Sequence, residues 1–223
     1  MPPQMTRARI GIAPAAGDAP PVVVKLGGSV IRSGELAAWL DAIAAASRPI
    51  VVVPGGGALA DEVRACQSQL GFGERAAHRM ALLAMDQFAW AVAGLRQGFA
   101  VGATEAELRA ALERGQVAVW APYGLVAERT DLEPSWRLTS DSLALWLARR
   151  IEAARCYLIK SIARPKTPRL SARQLARDGI VDEAFAGMLT ETGTRTVLLG
   201  RGDQQAFAAC LAGQSQVAGA EID

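Results

Sequence analysis

Short uninterrupted apolar runs alternate along this chain with longer segments in which apolar residues recur every three or four positions. The β-branched runs predict buried strands, and the three-to-four spacing predicts amphipathic helices. Strands are predicted at about 22–26, 50–53, 117–120, 156–160 and 196–199, with an edge strand near Val217. Helices are predicted at about 33–47, 58–70, 74–96, 104–114, 143–153, 171–177, 183–189 and 203–212. This alternation predicts an α/β fold with a mostly parallel sheet covered on both faces.

Two segments depart from simple amphipathic patterning. In the helix predicted at 74–96, apolar residues spread around much of the circumference. We therefore expect it to be buried on two sides or to lie in the interface of a homo-oligomer, at least a dimer. Residues 1–20 are rich in Pro, Ala and Gly and have no compact apolar stretch, which predicts a disordered tail rather than a secretion signal. Residues 21–223 are predicted to form one domain.

Composition and charge exclude several functional classes. The 24 basic and 22 acidic residues leave a net charge of +2, which argues against a polycation that binds nucleic acid. No stretch approaches the roughly 18 apolar residues of a membrane span, so we expect a cytoplasmic protein without a membrane partner. Three scattered cysteines and a single histidine exclude a disulfide framework and a histidine-based zinc site, and no metal-ligand set is predicted.

Two glycine turns at the ends of predicted strands carry the strongest functional signal. The turn residues are Gly27, Gly28 and Ser29 after the first strand, and Gly55, Gly56 and Gly57 after the second. Glycine lets backbone N–H groups approach a ligand, and the next helix presents the positive end of its dipole, so each turn is a candidate phosphate site. Glycines are also common in ordinary strand-to-helix turns, but two such turns on successive strands favour the phosphate interpretation.

Lysines stand at the ends of two predicted strands. Lys25 ends an otherwise apolar strand, and Lys160 ends the fourth strand. Because a buried lysine needs a partner, we expect both ammonium groups to converge on phosphate oxygens during phosphoryl transfer. The alternative for Lys25 is a side chain that extends to the sheet edge. Asp141, at a predicted helix start, either holds the lysines, helps to place Mg²⁺, or caps its helix.

His78 and Asp86 lie about two turns apart on the helix predicted at 74–96, so they can face the same way. In one interpretation they line an acceptor pocket, where Asp86 pairs with a cationic group of the substrate. In the other they are structural groups or belong to a subunit interface.

Three segments together resemble the amino acid kinase family, which includes acetylglutamate kinase, aspartokinase and uridylate kinase. The segments are Val23-Val24-Lys25-Leu26-Gly27-Gly28-Ser29, Val52-Val53-Pro54-Gly55-Gly56-Gly57 and Thr139-Ser140-Asp141-Ser142. The resemblance implies a three-layer αβα sandwich in which about residues 21–130 bind the acceptor and 131–223 bind Mg-ATP. It also implies that Lys25 stabilises the moving phosphoryl group, that Asp141 organises the catalytic lysines, and that Lys160 is the second lysine.

Within that family, segments 78–87 and 138–146 are most similar to the small aspartokinase-related kinases of methanofuran and methylofuran biosynthesis. Those kinases phosphorylate the hydroxymethyl group of an aminomethyl-furanmethanol, and its ammonium group would give Asp86 a partner. The resemblance therefore implies an ATP-dependent kinase with a small-molecule acceptor. Nucleoside monophosphates and amino acids are the alternative acceptors.

One segment departs from the family pattern. After the fourth strand many members carry an Asp-x-Asp-Gly loop that helps to hold the nucleotide, whereas residues 160–166 contain no acidic residue. Either the nucleotide is bound by other side chains, for which Ser140, Ser161, Arg164 and Lys166 are the candidates, or this binding has been lost. Loss would leave a catalytically silent member that acts as a partner or anion-binding subunit.

Overall fold

The fold is described from a computed structural model, which covers residues 19–164, 166–214 and 218–223. The tail predicted at 1–20 lies almost entirely outside the described residues, as does Val217. In the part of the chain that is described, no helix is long and apolar enough to cross a bilayer.

An eight-stranded sheet forms the centre of the described part of the chain. The strands are β1 (Val22–Leu26), β2 (Ile50–Pro54), β3 (Phe99–Gly102), β4 (Val117–Trp120), β5 (Arg155–Ile159), β6 (Arg169–Leu170), β7 (Thr196–Leu199) and β8 (Ala220–Ile222). They lie in the order β3-β4-β2-β1-β5-β7-β8-β6, and neighbouring strands are parallel except β7 with β8. The strand β2 lies on one side of β1, and β5, which comes later in the chain, lies on the other side, so the strand order reverses at β1. In such sheets ligands bind at the carboxyl ends of the strands, near this reversal of strand order.

Helices cover both faces of the sheet, so the predicted α/β class is confirmed. Over the described residues they are α1 (Gly28–Ile31), α2 (Leu36–Ala44), α3 (Gly57–Leu70), α4 (Glu74–Gly94), α5 (Glu105–Glu113), α6 (Tyr123–Val126), α7 (Ser140–Arg150), α8 (Ala172–Arg177), α9 (Phe185–Thr192) and α10 (Gln204–Leu211). The side chains of β1 alternate between the two faces. Val24 belongs to the core that contains Trp39 and Phe207, and Val23 belongs to the core beneath α7.

Several predicted boundaries were wrong. The helix expected from residue 33 begins at Leu36, because the Ser33 hydroxyl accepts from the Glu35 N–H and donates to the Val30 carbonyl, which closes a turn. The helix expected from residue 143 already begins at Ser140, and the one expected at 183–189 spans Phe185–Thr192. β3 and the one-turn helices α1 and α6 were not predicted. The one-turn helices are too short to show a helical period, and β3 is short and contains a glycine.

The helix α4 was expected to be buried on two sides or to lie in an interface between copies. It packs against the strands β2, β3 and β4 and also against α3, and one part of its surface stays exposed. Leu82, Met85 and Ala89 pack into the core. On another side Leu83 and Trp90 face solvent, and Trp90 is 69% exposed. The alternative, that this helix contributes to an interface between copies, stays a prediction.

Candidate active site

Two lysines and one aspartate meet at the carboxyl ends of β1 and β5. Asp141 Oδ1 lies 2.5 Å from Lys25 Nζ, and Asp141 Oδ2 accepts a hydrogen bond from Lys160 Nζ at 2.7 Å. Lys25 is 2% exposed and Asp141 is 4% exposed, so their charges are held away from bulk water. The structure thus brings together the three residues that the sequence suggested as catalytic, and their roles in catalysis stay predictions.

The strand register explains this meeting. Leu26 pairs with Ile159 in parallel register, so Lys25 and Lys160 come from neighbouring strands at one edge of the sheet. Side chains alternate along a strand, and Lys25 therefore projects from the same face as Val23, on the side where α7 packs. Asp141 lies in the first turn of α7, where the helix dipole favours a negative charge.

Burial and charge shift the pKa values of this cluster in separable ways. Loss of water lowers the pKa of Lys25 from 10.5 to about 8, although the charge of Asp141 opposes that shift. Burial alone would raise the pKa of Asp141, but the charges of Lys160 and Lys25 outweigh it and hold this pKa at about 2. Lys25 and Asp141 are therefore both ionised at neutral pH. Two lysines facing one carboxylate leave a positive charge unmatched, which favours an anionic ligand.

The two glycine turns touch each other, backbone against backbone. A Cβ atom on Gly28 would lie 2.6 Å from Gly57 N, and one on Gly55 would lie 2.7 Å from Gly28 N. Gly57 also has a φ of +49°, which favours glycine. Hydrogen bonds from Gly27 N to the Ile159 carbonyl and from Gly55 N to the Leu26 carbonyl hold the turns over the strand ends. Close packing and access of backbone N–H groups to a ligand both require glycine here.

A cavity of about 320 Å³ opens at these turns. Its lining includes Lys25, Asp141 and Lys160, and the turn residues Gly28, Ser29, Gly55, Gly56 and Gly57. Gly27 does not line the cavity, because its backbone is bonded to the end of β5. The charged cluster and the starts of α1 and α3 therefore face one common space. The positive ends of these helices add to its attraction for anions.

The mouth of the cavity carries a second group of polar residues that the sequence did not indicate. Asp61 lies between two arginines, 3.5 Å from Arg32 and 3.3 Å from Arg64. The Arg64 guanidinium stacks over the Trp136 ring, 4.1 Å from its centroid. The Trp136 indole N–H donates to the Gln67 side chain at 2.6 Å, which ties the loop before α7 to α3. These residues come from three separate segments, and no local spacing could have grouped them.

His78 and Asp86 do not share the cavity. His78 lines it and is buried, and burial lowers the pKa of its imidazole, so the ring is neutral at pH 7. Asp86 lies outside the lining, and its carboxylate accepts the Tyr123 N–H at 3.1 Å at the start of α6. Burial raises the pKa of Asp86, and that hydrogen bond opposes the shift. This geometry favours the second interpretation of Asp86, a structural group, and its role stays a prediction.

The structure also separates the four candidates for nucleotide binding by whether they line the cavity. Ser140 lines the cavity. Ser161 does not line it, and its buried Oγ has no hydrogen-bond partner among the described residues. Arg164 instead pairs with buried Asp203 at 2.8 Å, and the same carboxylate accepts the Gly200 N–H. This pair joins the loops after β5 and β7. Lys166 is exposed, and neither it nor Arg164 lines the cavity.

The described residues do not fit a magnesium ion held by the protein. No group of three or more His, Cys, Asp or Glu side chains that could bind a metal occurs among them. Both oxygens of Asp141 already bind lysines. Of the two active roles expected for Asp141, holding the lysines is the one that this geometry favours.

A mostly parallel sheet whose strand ends carry two touching glycine turns and a Lys-Asp-Lys cluster is an α/β arrangement suited to binding an anion and to phosphoryl transfer. The model of the amino acid kinase family matches residues 20–164, and the chain belongs to this family.

One relative is [5-(aminomethyl)furan-3-yl]methyl phosphate kinase from Methanocaldococcus jannaschii. It is 28% identical over 132 residues, which cover 58% of this chain and 61% of the relative. The match therefore spans less than two thirds of that protein.

Solved structures of kinases share the fold. Uridylate kinase from Archaeoglobus fulgidus is 22% identical with a TM-score of 0.66, over 91% of this chain and 99% of that one. UMP kinase from Ureaplasma parvum is 13% identical with a TM-score of 0.65, over 92% and 99%. Aspartate kinase from Synechocystis is 16% identical with a TM-score of 0.64, over 91% and 39%. These values show a common architecture.

Proposed function

We propose that this protein is an ATP-dependent kinase that phosphorylates an aminomethylfuran compound in methanofuran or methylofuran biosynthesis. The observation that carries the proposal is the buried cluster in which Asp141 holds Lys25 and Lys160 at 2.5 and 2.7 Å beside two glycine turns. We place this activity in the cytoplasm. Any Mg²⁺ would be bound by the nucleotide's own phosphates.

Phosphoryl transfer needs positioning and charge stabilisation rather than covalent chemistry by the protein. Lys25 and Lys160 supply two positive charges in a site that excludes most water, where they stabilise the charge that develops on the transferred group. The negative charge of Asp141 offsets the repulsion between the two ammonium groups and holds them close together. The backbone N–H groups at the starts of α1 and α3 bind phosphate oxygens.

The acceptor is proposed to carry a phosphate already. The name of the relative specifies a methyl phosphate as its substrate, whereas the family resemblance had suggested the free hydroxymethyl group. Arg32 and Arg64 at the cavity mouth fit such an anion, and Trp136, which also lines the cavity, is an aromatic partner for a furan ring. Asp61 is the acidic group placed to receive the ammonium. An acceptor phosphate oxygen bonds to the γ-phosphorus, the bond to the leaving ADP breaks, and a diphosphate forms.

A direct assay tests this function. The purified protein is incubated with ATP, Mg²⁺ and one acceptor, and ADP release is followed together with ³¹P NMR of the product. We expect a diphosphate from [5-(aminomethyl)furan-3-yl]methyl phosphate and much less product from the free alcohol, UMP or aspartate. Preferred turnover of UMP or aspartate would assign a different acceptor. Absence of turnover with every acceptor, and of a thermal shift with ATP, would favour a silent family member.

Replacing Trp136 with alanine is expected to raise KM for the furan acceptor about tenfold, because ring stacking and its packing are lost. The KM for ATP should change less than twofold, since the proposed ring site lies at the acceptor end of the cavity. Steady-state kinetics with each substrate varied in turn measures the difference. Trp136→Phe is the matched variant, because it keeps an aromatic face and loses the bond to Gln67. A parallel increase in both KM values would contradict this assignment.

We further propose that two copies of the chain associate through the exposed side of the α3–α4 hairpin. Leu83 and Trp90 lie seven residues apart on α4 and form one stripe together with Met80. Leu59 and Leu70 of α3 are also exposed. A hydrophobic stripe on two adjoining helices is typical of an interface between identical subunits.

Trp90→Glu should therefore convert a dimer into a monomer without loss of folding. Light scattering coupled to size-exclusion chromatography would give a mass near the 23.4 kDa of one chain for the variant and twice that mass for the wild type. A charge placed on an exposed position of α10, such as Gln205→Glu, is the control. A monomeric wild-type protein would refute the interface.

A further inference from the structure

A second aspartate, Asp182, holds the helix that carries Asp141. It lies in the loop between α8 and α9 and is partly buried. Its Oδ2 accepts hydrogen bonds from Thr139 N at 3.0 Å, Thr139 Oγ1 at 2.9 Å and Ser142 N at 3.0 Å. Its Oδ1 accepts a hydrogen bond from Ser142 Oγ. One carboxylate thus satisfies four donors in the first turn of α7 and the residue before it.

This arrangement replaces the usual cap of a helix. The first N–H groups of a helix have no partner inside it, and a side chain at the N-cap position normally accepts one of them. In α7 the N-cap residue Thr139 makes no such bond to its own helix, and its hydroxyl donates to Asp182 instead. The cap is therefore supplied by a different segment, about 40 residues further along the chain.

Asp141 lies between the two residues that Asp182 anchors. Its carboxylate has to reach Lys25 with one oxygen and Lys160 with the other. A small rotation or shift of the first turn of α7 would break one of these contacts. We propose that Asp182 is a positioning residue, which fixes Asp141 so that both lysines remain paired and correctly placed for phosphoryl transfer.

The direction in which the pKa of Lys25 changes when Asp182 is replaced distinguishes a positioning role of Asp182 from a general contribution to stability. The charged groups against Lys25 are Asp141 and Lys160, and the buried Cys156 thiol on the neighbouring strand β5 is a titratable group that also interacts with it. Burial lowers the pKa of Lys25 to about 8. If Asp141 swings away while the site stays dry, Lys25 loses its counter-ion, and its pKa falls further. If the loss of Asp182 merely loosens the domain and admits water, the pKa of Lys25 rises towards 10.5.

The sequence makes this measurement simple, because it contains only three lysines, Lys25, Lys160 and Lys166. NMR of protein labelled with ¹³C at lysine Cε gives three signals, which single Lys→Arg variants assign. We expect Asp182→Ala to lower the pH midpoint of the Lys25 signal, and Asp182→Asn, which keeps an acceptor oxygen, to shift it less. Glu183→Gln is the matched control, because it removes a neighbouring exposed charge and should leave the midpoint unchanged.

Kinetics adds a second readout, which rests on the proposed function, whereas the NMR titration needs no substrate. We expect Asp182→Ala to reduce kcat on the order of tenfold to a hundredfold, with both KM values changed less than threefold. In an Asp141→Asn background, Asp182→Ala should cause no further shift of the Lys25 midpoint. If Asp182→Ala does not fold, Asp182→Asn and Ser142→Ala carry the test. An unchanged or raised Lys25 midpoint in a folded variant would overturn the proposal.

Discussion

Replacing Lys25 with methionine is expected to reduce kcat on the order of 10²- to 10³-fold, the effect of removing one preorganised group that stabilises the charge of a transition state. Methionine keeps much of the length of the side chain in a position that is 2% exposed, so the cavity retains its shape. What disappears is the positive charge paired with Asp141 at 2.5 Å. The KM for the nucleotide should change much less than kcat, because the glycine turns and Lys160 remain.

Lys166→Met is the matched control for this substitution, because Lys166 is exposed and does not line the cavity. It should leave kcat within twofold of the wild type, measured as ADP release under saturating substrates. A Lys25→Met protein that keeps more than a tenth of wild-type turnover would contradict the role given to this lysine. It would leave Lys160 as the main stabilising charge.

The pH dependence follows from the same side chain. Because burial lowers the pKa of Lys25 to about 8, wild-type kcat/KM should fall as pH rises through that value and the ammonium loses its proton. The unfolded chain holds this proton up to about 10.5, so the contribution of Lys25 to folding stability increases with pH between 8 and 10.5. Lys25→Met should lack both effects and be at least as stable as the wild type at pH 7.

Substituting Asp141 with asparagine should give the second large effect, a loss of about 3 kcal/mol in the free energy of unfolding at pH 7. The variant leaves Lys25 and Lys160 facing each other without the carboxylate that now binds both. Turnover of the Asp141→Asn variant should also fall. Without the carboxylate, Lys25 tends to lose its proton rather than remain an unpaired buried cation. Urea unfolding at several pH values measures the change.

The acid limb of the stability curve gives a specific check on Asp141. Its pKa is about 2 in the folded protein against 3.8 ordinarily, so its pairing contributes about 2 kcal/mol at pH values above 3.8. This contribution is lost as pH falls through about 2. Asp141→Asn should lack that loss. Adding Lys160→Met to Asp141→Asn should restore part of the stability without restoring turnover, and a double variant no more stable than the single one would exclude charge repulsion as the cause.

Much of the scaffold could be predicted because the relevant signals are local. The continuous apolar, β-branched runs of β1, β2 and β7 indicate that these strands are buried on both faces of the sheet. The helix predicted at about 104–114 forms at Glu105–Glu113, and its start is fixed by a local signal, the capping box of Thr104 and Glu107. β3 was missed because Phe99–Gly102 is short and contains a glycine, and its pairing with β4 makes it a strand.

In the candidate site, too, some residues could be recognised from local sequence and others only from the fold. Lys25 was conspicuous because a charge stood at the end of an apolar strand, and Lys160 because it occupied the equivalent place. The surroundings of Asp86 could not be predicted, because helical spacing shows which residues share a face but not what that face meets. In the fold it meets the Tyr123 N–H, 37 residues further along the chain. Arg164, which the sequence suggested as a candidate for nucleotide binding, likewise pairs with Asp203.

The sequence alone thus determined the alternation of strands and helices, the two glycine turns and the lysines at the strand ends, because each is a property of a few neighbouring residues. Only the tertiary structure decided that Asp141 joins both lysines, that Asp182 caps the helix carrying it, and that Trp136 reaches Gln67 across 69 residues of chain. Side-chain hydrogen bonds and ion pairs act only over a few ångströms. Their partners are therefore chosen by how helices pack on the sheet, which no local pattern records.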